Sequence, residues 1–225
     1  MLHEDADLVA IAKPPGLLVH PSALDAQEER SALKLLRDQR GERLWPLHRL
    51  DKATSGVLVF ARHPQAASEF GRAFEEGRVS KRYLALVRGW PPERGAIEQS
   101  LARDPEQPSQ GQERIVALTR FERLACFEWP FQADARHATS RYALVAAEPV
   151  TGRRHQIRRH FKHIAHPLVG DTTHGKGAHN RAVAQWLGAS RLWLHCEWME
   201  LPGRPRIVAP PGPEWAALLA NVPRA

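Results

Sequence analysis

The stretch His48-Arg49-Leu50-Asp51-Lys52-Ala53-Thr54-Ser55-Gly56 decides the fold, because the neighbouring elements can be placed outward from it. The carboxylate of Asp51 stands there between cations, just before small residues that let backbone or a ligand approach closely. By spacing alone, Asp51 fits a helix N-cap or a surface ion pair as well as it fits a catalytic group. Its surroundings therefore have to decide its chemistry.

The residues that follow predict a strand and then a helix. Val57–Ala61 is an apolar run with β-branched residues, which indicates a strand buried on both faces. Asp51 is therefore expected on a loop that enters a core strand. Pro64 then begins a predicted helix that keeps its apolar residues on one face and ends at Gly77.

Strands dominate the rest of the pattern. Lys81–Arg88 is predicted to be a central strand with two apolar faces, one of which carries Tyr83. Because strands outnumber helices without regular alternation, the fold class is α+β, with a mixed, mainly antiparallel central sheet flanked by helices and loops. The other predicted strands are 8–12, 17–19, 120–127 and 139–146.

A polar segment interrupts this pattern at about residues 91–114, where Pro, Gln and Glu are frequent. Its composition predicts an excursion or a mobile loop rather than a domain boundary. A chain of 225 residues with 43% hydrophobic content can bury one sizeable core. We therefore expect a single domain over 1–225.

The chain is basic, with a net charge of +7 and a pI near 10.0. RNA, DNA or an acidic membrane would all match this charge. Arg dominates the 32 basic residues, and its planar fork binds phosphates and stacks on bases, which favours nucleic acid over lipid. The two cysteines indicate neither a disulfide framework nor a metal site. Without an apolar run of membrane-spanning length, we expect no membrane partner and a cytoplasmic protein.

Six blocks of the sequence resemble, in order, the signature of the RluA-type family of pseudouridine synthases. That signature has His-Arg-Leu-Asp followed by Thr-Ser-Gly, and all seven positions match the stretch around Asp51. Several motifs in the same order are far more specific than any one of them. The other blocks are Lys13–Gly16 with Val19–Pro21, Lys81–Gly89, Thr151–His160, His166–Asp171 and Arg191–His195.

Within that family the chain is most similar to the tRNA pseudouridine synthase C group, which is associated with uridine-65 of tRNA. The similarity rests on Arg159-His160 with His163, on Gly170–Gly175 and on Asn180-Arg181. The commoner family pattern has Tyr where His174 stands. The resemblance implies an RNA partner, tRNA in particular, and we expect a monomer. The catalytic blocks begin almost at the first residue, so we expect no N-terminal RNA-binding module of the kind other family members carry.

The resemblance also implies which residues form the site. Asp51 is implied as the nucleophile, Tyr83 as the aromatic ring against the target base, and Arg158 as the cation paired with Asp51. A ring in that place offers about 1–3 kcal/mol of stacking to a flipped nucleotide. Arg49 is expected to fill the space that the flipped uridine leaves. The other substrate-binding residues implied are His48, Lys81, Arg153, Arg154, His155, Gln156 and Arg159.

The implied reaction breaks the bond from ribose C1′ to uracil N1 and joins C1′ to C5. There is no net redox change and no lost leaving group, so we expect neither a cofactor nor a metal. A nucleophile has to hold the sugar or the base during the exchange. Asp51 would either attack C1′ or abstract a ribose proton to give a glycal, and the sequence leaves both routes open.

Three alternatives compete with this interpretation. A metal-dependent nuclease would use the histidines at 155, 160, 163 and 166, but the interleaved Arg and Lys side chains would repel a divalent cation, so no metal site is expected. A catalytically idle RNA-binding or RNA-folding protein would keep the basic cleft, but intact Asp51, Tyr83 and Arg158 argue against it. A synthase that acts on another tRNA or rRNA site remains open.

Overall fold

The computed structural model describes residues 1–20, 30–105 and 107–220, which fall into two units. The first unit comprises Met1–Lys81 and His195–Pro210, and the second comprises Arg82–Leu194 and Pro211–Ala225. The helices are α1 (Ala32–Arg40), α2 (Pro64–Glu75), α3 (Gln156–His163), α4 (Gly177–Leu187) and α5 (Ala216–Leu219). The strands are β1 (His3–Glu4), β2 (Leu8–Lys13), β3 (Trp45–Pro46), β4 (Ser55–Ala61), β5 (Ser80–Arg88), β6 (Arg94–Glu98), β7 (Leu101–Ala102), β8 (Arg114–Ile115), β9 (Leu118–Trp129), β10 (Ser140–Pro149), β11 (Leu194–Glu200) and β12 (Ile207–Val208).

The first unit is organised around β4, all of whose residues are buried. Its strands run in the order β1-β2-β4-β11, with β3 paired to β4 and β12 paired to β11. The pairing of β2 with β4 is antiparallel over six residue pairs, whereas β4 and β11 are parallel. Helix α1 begins where Ser31 accepts the N–H of Lys34 and ends at Gly41 in the left-handed region, where a glycine has no Cβ penalty.

The second unit carries four antiparallel strands in the order β5-β10-β9-β6. Strands β9 and β10 form the longest ladder, with a bulge between Leu144 and Val145. Strands β7 and β8 form a separate hairpin. An aromatic core lies against this sheet, and it includes Phe127, Trp129, Tyr142, Trp193 and Trp215.

The α+β class predicted from the sequence is confirmed, since most strand pairs are antiparallel and helices accompany both units. The predicted strand at 57–61 lies within β4, and the helix predicted from Pro64 is α2. No helix in the described part of the chain is long and apolar enough to cross a membrane. Whether the chain behaves as one domain stays a prediction.

One local expectation was wrong. The second strand expected at 17–19 is not formed, and Leu18 makes only an isolated bridge to Ser31. The polar segment at about 91–114 contains β6, β7 and the start of β8, and its description as an excursion stays a prediction. Ile97 of β6 and Leu101 of β7 are buried, so each of these short strands places an apolar side chain in the interior.

Candidate functional site

Asp51 lies half-buried on a loop of the first unit that leads into β4. The backbone closes a turn there, because the N–H of Thr54 donates to the carbonyl of Asp51 at 3.0 Å. Thr54 is buried, and the strand that follows is buried throughout. The loop is therefore fixed to a rigid element at its C-terminal end.

Gly56 shows why small residues follow Asp51. Its φ is +116°, and a Cβ added there would lie 2.1 Å from the carbonyl oxygen of Cys196. Strands β4 and β11 pair in parallel at this point, with Ser55 opposite His195 and Gly56 opposite Cys196. A side chain at position 56 would force these strands apart. Glycine is therefore needed here so that the backbones of β4 and β11 can lie close together.

Ser55 and His195 form a buried hydrogen-bonded pair next to this contact. Nε2 of His195 lies 2.8 Å from the carbonyl oxygen of Ala209, which can only accept, so Nε2 carries the proton. Nδ1 therefore accepts from the Ser55 hydroxyl at 2.9 Å. The start of β4 is thus fastened to a residue 140 positions away in the sequence.

Lys13 anchors the other side of the Asp51 loop. The residue is 1% exposed, and its Nζ donates to the carbonyls of Pro14 at 2.9 Å, Leu17 at 2.7 Å and Lys52 at 3.1 Å. The carbonyl of Lys52 also accepts the N–H of Gly16 at 2.8 Å. A buried ammonium requires several acceptors of this kind. This role was not predicted from the sequence, although a lysine that ends the apolar run 8–12 is a signal for it.

His48 and Lys81, both implied as substrate-binding residues, pack on the ring of Phe74. The ring of His48 stacks on it with centroids 5.1 Å apart, and Nε2 accepts the N–H of Val59 at 3.2 Å. Burial, reinforced by the charge of Lys81, lowers the pKa of His48 to about 3. Burial also lowers the pKa of Lys81, whose Nζ lies 6.0 Å from the Phe74 centroid. Arg49, in contrast, is exposed.

Tyr83 lies in β5 of the second unit, opposite Ala147 of β10. Tyr83 is 8% exposed, and Ala85 and Val87, expected on the same face, are fully buried. Strand β5 is therefore a core strand of this unit. That the Tyr83 ring meets a base stays a prediction.

Arg158 is held in the second unit by Asp171. Nε donates to Oδ2 at 2.7 Å and Nη2 donates to Oδ1 at 2.9 Å, with both side chains almost completely buried. Burial by itself would raise the pKa of Asp171, but the hydrogen bonds and charge of Arg158 hold it below its usual value. Asp171 was not predicted as a site residue from the sequence. The implied pairing of Arg158 with Asp51 stays a prediction.

Gln156, implied as a substrate-binding residue, closes the N-terminal end of α3. Its Oε1 accepts the N–H of Arg153 at 2.9 Å and the hydroxyl of Thr151 at 2.7 Å. Its Nε2 donates to the carbonyl of Leu118 at 2.9 Å and to the hydroxyl of Thr119 at 3.0 Å. The amide of this buried side chain therefore joins α3 to β9.

Three arginines implied to bind RNA lie around α3. Arg153 is exposed, and its Nε donates to the carbonyl of Val116 at 3.2 Å. Arg154 lies 3.5 Å from Asp104, and Arg159 donates to the carbonyl of Ala102 at 2.9 Å. The helix therefore presents its basic residues beside the β7–β8 hairpin, the segment expected to be an excursion.

Two of the histidines in or beside α3, His155 and His160, have defined polar neighbours. His155 adopts a φ of 54° and lies 3.3 Å from His174 between ring nitrogens. His160 is buried between the hydroxyl of Thr119 at 2.9 Å and the carbonyl of Gln99 at 3.1 Å. Within residues 1–20, 30–105 and 107–220, no three His, Cys, Asp or Glu side chains are grouped so as to hold a metal ion.

The implied residues thus fall into two sets. Asp51, His48, Arg49 and Lys81 belong to the first unit. The second unit carries the remainder, which are Tyr83, Arg153, Arg154, His155, Gln156, Arg158 and Arg159. In the first set, Asp51 lies on the loop that Lys13 anchors. In the second set, all the residues except Tyr83 lie in α3 or directly before it.

Comparison with known proteins agrees with the motifs. A family model described as RNA pseudouridylate synthase matches residues 7–163. The chain is 44% identical over 200 residues to a tRNA pseudouridine synthase C of Vibrio cholerae, covering 87% of this chain and 82% of that protein. A tRNA pseudouridine synthase C of Haemophilus ducreyi is 44% identical over 199 residues, with the same coverages of 87% and 82%. The solved structure of human RNA Pseudouridylate Synthase Domain Containing 1 matches with a TM-score of 0.72 at 26% identity, over 93% of this chain and 82% of that one.

Proposed function

This chain belongs to the RluA-type family of RNA pseudouridine synthases, and from that premise we propose that it isomerises uridine-65 of tRNA with Asp51 as the nucleophile. Family membership makes it an RNA-modifying isomerase. The Vibrio and Haemophilus relatives are tRNA pseudouridine synthases, which supports tRNA as its substrate. The residues it shares with the tRNA pseudouridine synthase C group support position 65.

The local structure of the Asp51 loop is the observation that carries this proposal. A nucleophile has to be held still while the base is detached and rotated. Lys13 fastens the loop through Lys52, and the Ser55–His195 pair fastens the start of the strand that follows. An aspartate that only formed a surface ion pair would need neither anchor.

The reaction at Asp51 conserves all the atoms of the nucleotide. The N1–C1′ bond breaks, the base turns, and a C5–C1′ bond forms, while N1 gains a proton and C5 loses one to solvent. Asp51 either attacks C1′ or removes a ribose proton to give a glycal, and both routes return the carboxylate unchanged. With no electron or group left over, the reaction uses no cofactor or metal.

The other residues bind and orient the nucleotide. Tyr83 stacks on the flipped base, Arg158 holds the carboxylate of Asp51, and Arg49 occupies the space left in the RNA. The exposed side chains of Arg49 and Arg153 are placed to meet phosphates or bases. The chain works as a monomer in the cytoplasm, where its tRNA substrate is modified.

Tritium release tests the proposal. A tRNA transcript labelled with [5-³H]uridine is incubated with the purified chain, and a matched transcript with cytidine at position 65 is the control. We expect one equivalent of tritium per tRNA from the first transcript and none from the second. Equal release from both would move the target to another uridine. No release from any tRNA would refute the proposed function.

A further inference from the structure

Asp171 lies in a sequence block that the proposed mechanism leaves without a chemical role. We propose that Asp171 is a positioning residue that fixes the direction of the Arg158 guanidinium and so acts on the isomerisation through it. This inference rests on the proposed function, because it takes Arg158 as the residue that holds the catalytic carboxylate. In this proposal, the carboxylate of Asp171 orients the Arg158 side chain before RNA binds.

The geometry of the pair carries the first step. The carboxylate of Asp171 accepts hydrogen bonds from Nε of Arg158 at 2.7 Å and from Nη2 at 2.9 Å, so it binds one edge of the guanidinium. The guanidinium is planar and its five N–H donors have fixed directions. Two bonds to one carboxylate therefore set the direction of all the other donors. The side chains of Arg158 and Asp171 are 9% and 0% exposed, so water does not screen the pair.

Asp171 is itself held by the turn in which it lies. Its Oδ1 also accepts the backbone N–H groups of Thr173 at 2.9 Å and His174 at 2.8 Å. Its carbonyl accepts the N–H of Gly175 at 3.1 Å and Nδ2 of Asn180 at 2.9 Å. A carboxylate with this many hydrogen-bond partners has one orientation, and this orientation fixes the position of the Arg158 guanidinium.

The backbone around this turn leaves it little freedom. Gly170 has a φ of +79°, and a Cβ added there would lie 1.7 Å from the carbonyl oxygen of Arg191. A Cβ at Gly175 would lie 2.2 Å from the carbonyl oxygen of Asp171. Asn180 spans the turn, since its Oδ1 accepts the N–H of Gly170 at 2.8 Å. These contacts explain the glycines and the asparagine of the block.

Nearby charges favour the pair as well. Burial lowers the pKa of His174 to about 4, so its ring is neutral at pH 7 and does not compete as a cation for Asp171. Burial by itself would raise the pKa of Asp171, but the hydrogen bonds and charge of Arg158, together with the backbone N–H of His174, hold it below its usual value. The carboxylate is therefore charged at pH 7.

The experiment compares Asp171→Asn with the wild-type chain in single-turnover tritium release from the labelled tRNA. Asparagine keeps an oxygen for the N–H groups of Thr173 and His174 but loses the charge that aligns Arg158. The rate constant is expected to fall about 100-fold, which misplacement by about 1 Å can cause. The tRNA dissociation constant should stay within about threefold, because no RNA contact is removed. Asp134→Asn is the matched control, since Asp134 lies 3.9 Å from His179 in the same unit.

A double-mutant cycle distinguishes positioning from a general structural role. In an Arg158→Lys background, Asp171→Asn should lower the rate by less than about threefold more, because the group that it orients is already gone. Asn180→Ala offers a second route should Asp171→Asn fail to fold. It loosens the turn but keeps the carboxylate, and a loss of about tenfold is expected.

Two results would overturn the inference. One is a folded Asp171→Asn chain with the wild-type rate constant. The other is a double variant whose rate constant falls by the full product of the two single-variant losses. An active wild-type chain is present in both cases, so the proposed function survives them. A wild-type chain that releases no tritium from any tRNA refutes the proposed function, and the inference falls with it.

Discussion

Replacing Lys13 by methionine tests how strongly the Asp51 loop is anchored. The change removes three charge-assisted hydrogen bonds from a side chain that is 1% exposed. The carbonyl of Lys52 keeps the N–H of Gly16, whereas the carbonyls of Pro14 and Leu17 lose this donor. These two hydrogen bonds are part-buried, and a bond from a charged donor contributes about 1.5–3 kcal/mol, so together they contribute about 3–6 kcal/mol. Methionine needs no desolvation of a charge, which offsets part of this, so we expect a net loss of about 2–4 kcal/mol.

Urea unfolding followed by circular dichroism measures this loss. Lys34→Met is the matched control, because Lys34 is exposed on α1 and its replacement should change stability by less than about 0.5 kcal/mol. The rate of tritium release by folded Lys13→Met should also fall at least about tenfold, since the loop that carries Asp51 is loosened. A variant with wild-type stability and rate would show that Lys13 does not anchor the loop.

Two further predictions concern backbone space and protonation. Gly170→Ala should lower the free energy of unfolding in urea by at least about 3 kcal/mol, against about 1–2 kcal/mol for Gly41→Ala. Both glycines have a positive φ, but only at Gly170 would an added Cβ meet backbone atoms. Equal losses would contradict this. His48 has a pKa of about 3 in the folded chain, against about 6.5 in the unfolded chain. Protons therefore favour the unfolded chain, and the free energy of unfolding should decrease as the pH falls below 6.5. His48→Gln should flatten that fall between pH 6.5 and 4 in unfolding experiments, and an unchanged slope would contradict the assignment.

Local patterns in the sequence predicted several elements well. The apolar run after Gly56 indicated β4, and Pro64 indicated the start of α2, because both signals depend only on neighbouring residues. Asp51 could be placed on the loop before β4 for the same reason. Its role as nucleophile came from the family motifs and stays a proposal.

Contacts between distant residues could not be predicted in this way. Lys13 could be identified only as the first residue of a family block, and nothing nearby in sequence shows that its Nζ reaches the carbonyl of Lys52. The family resemblance implied Gln156 as a substrate-binding residue, yet its amide joins α3 to β9. The two bonds reach Leu118 and Thr119, which lie 38 and 37 positions earlier in the sequence. Asp171 was quoted only as a motif position, because its bidentate pair with Arg158 appears only once the chain is folded.

Tritium release by Asp51→Asn is the most direct test of the central claim, that Asp51 is the nucleophile. Asp38→Asn is the control, because Asp38 is an exposed carboxylate on α1 of the same unit. We predict that Asp51→Asn folds and binds tRNA but releases tritium at least about 1,000-fold more slowly than wild type, while the control is unaffected. Release by Asp51→Asn within about tenfold of the wild-type rate would contradict the claim.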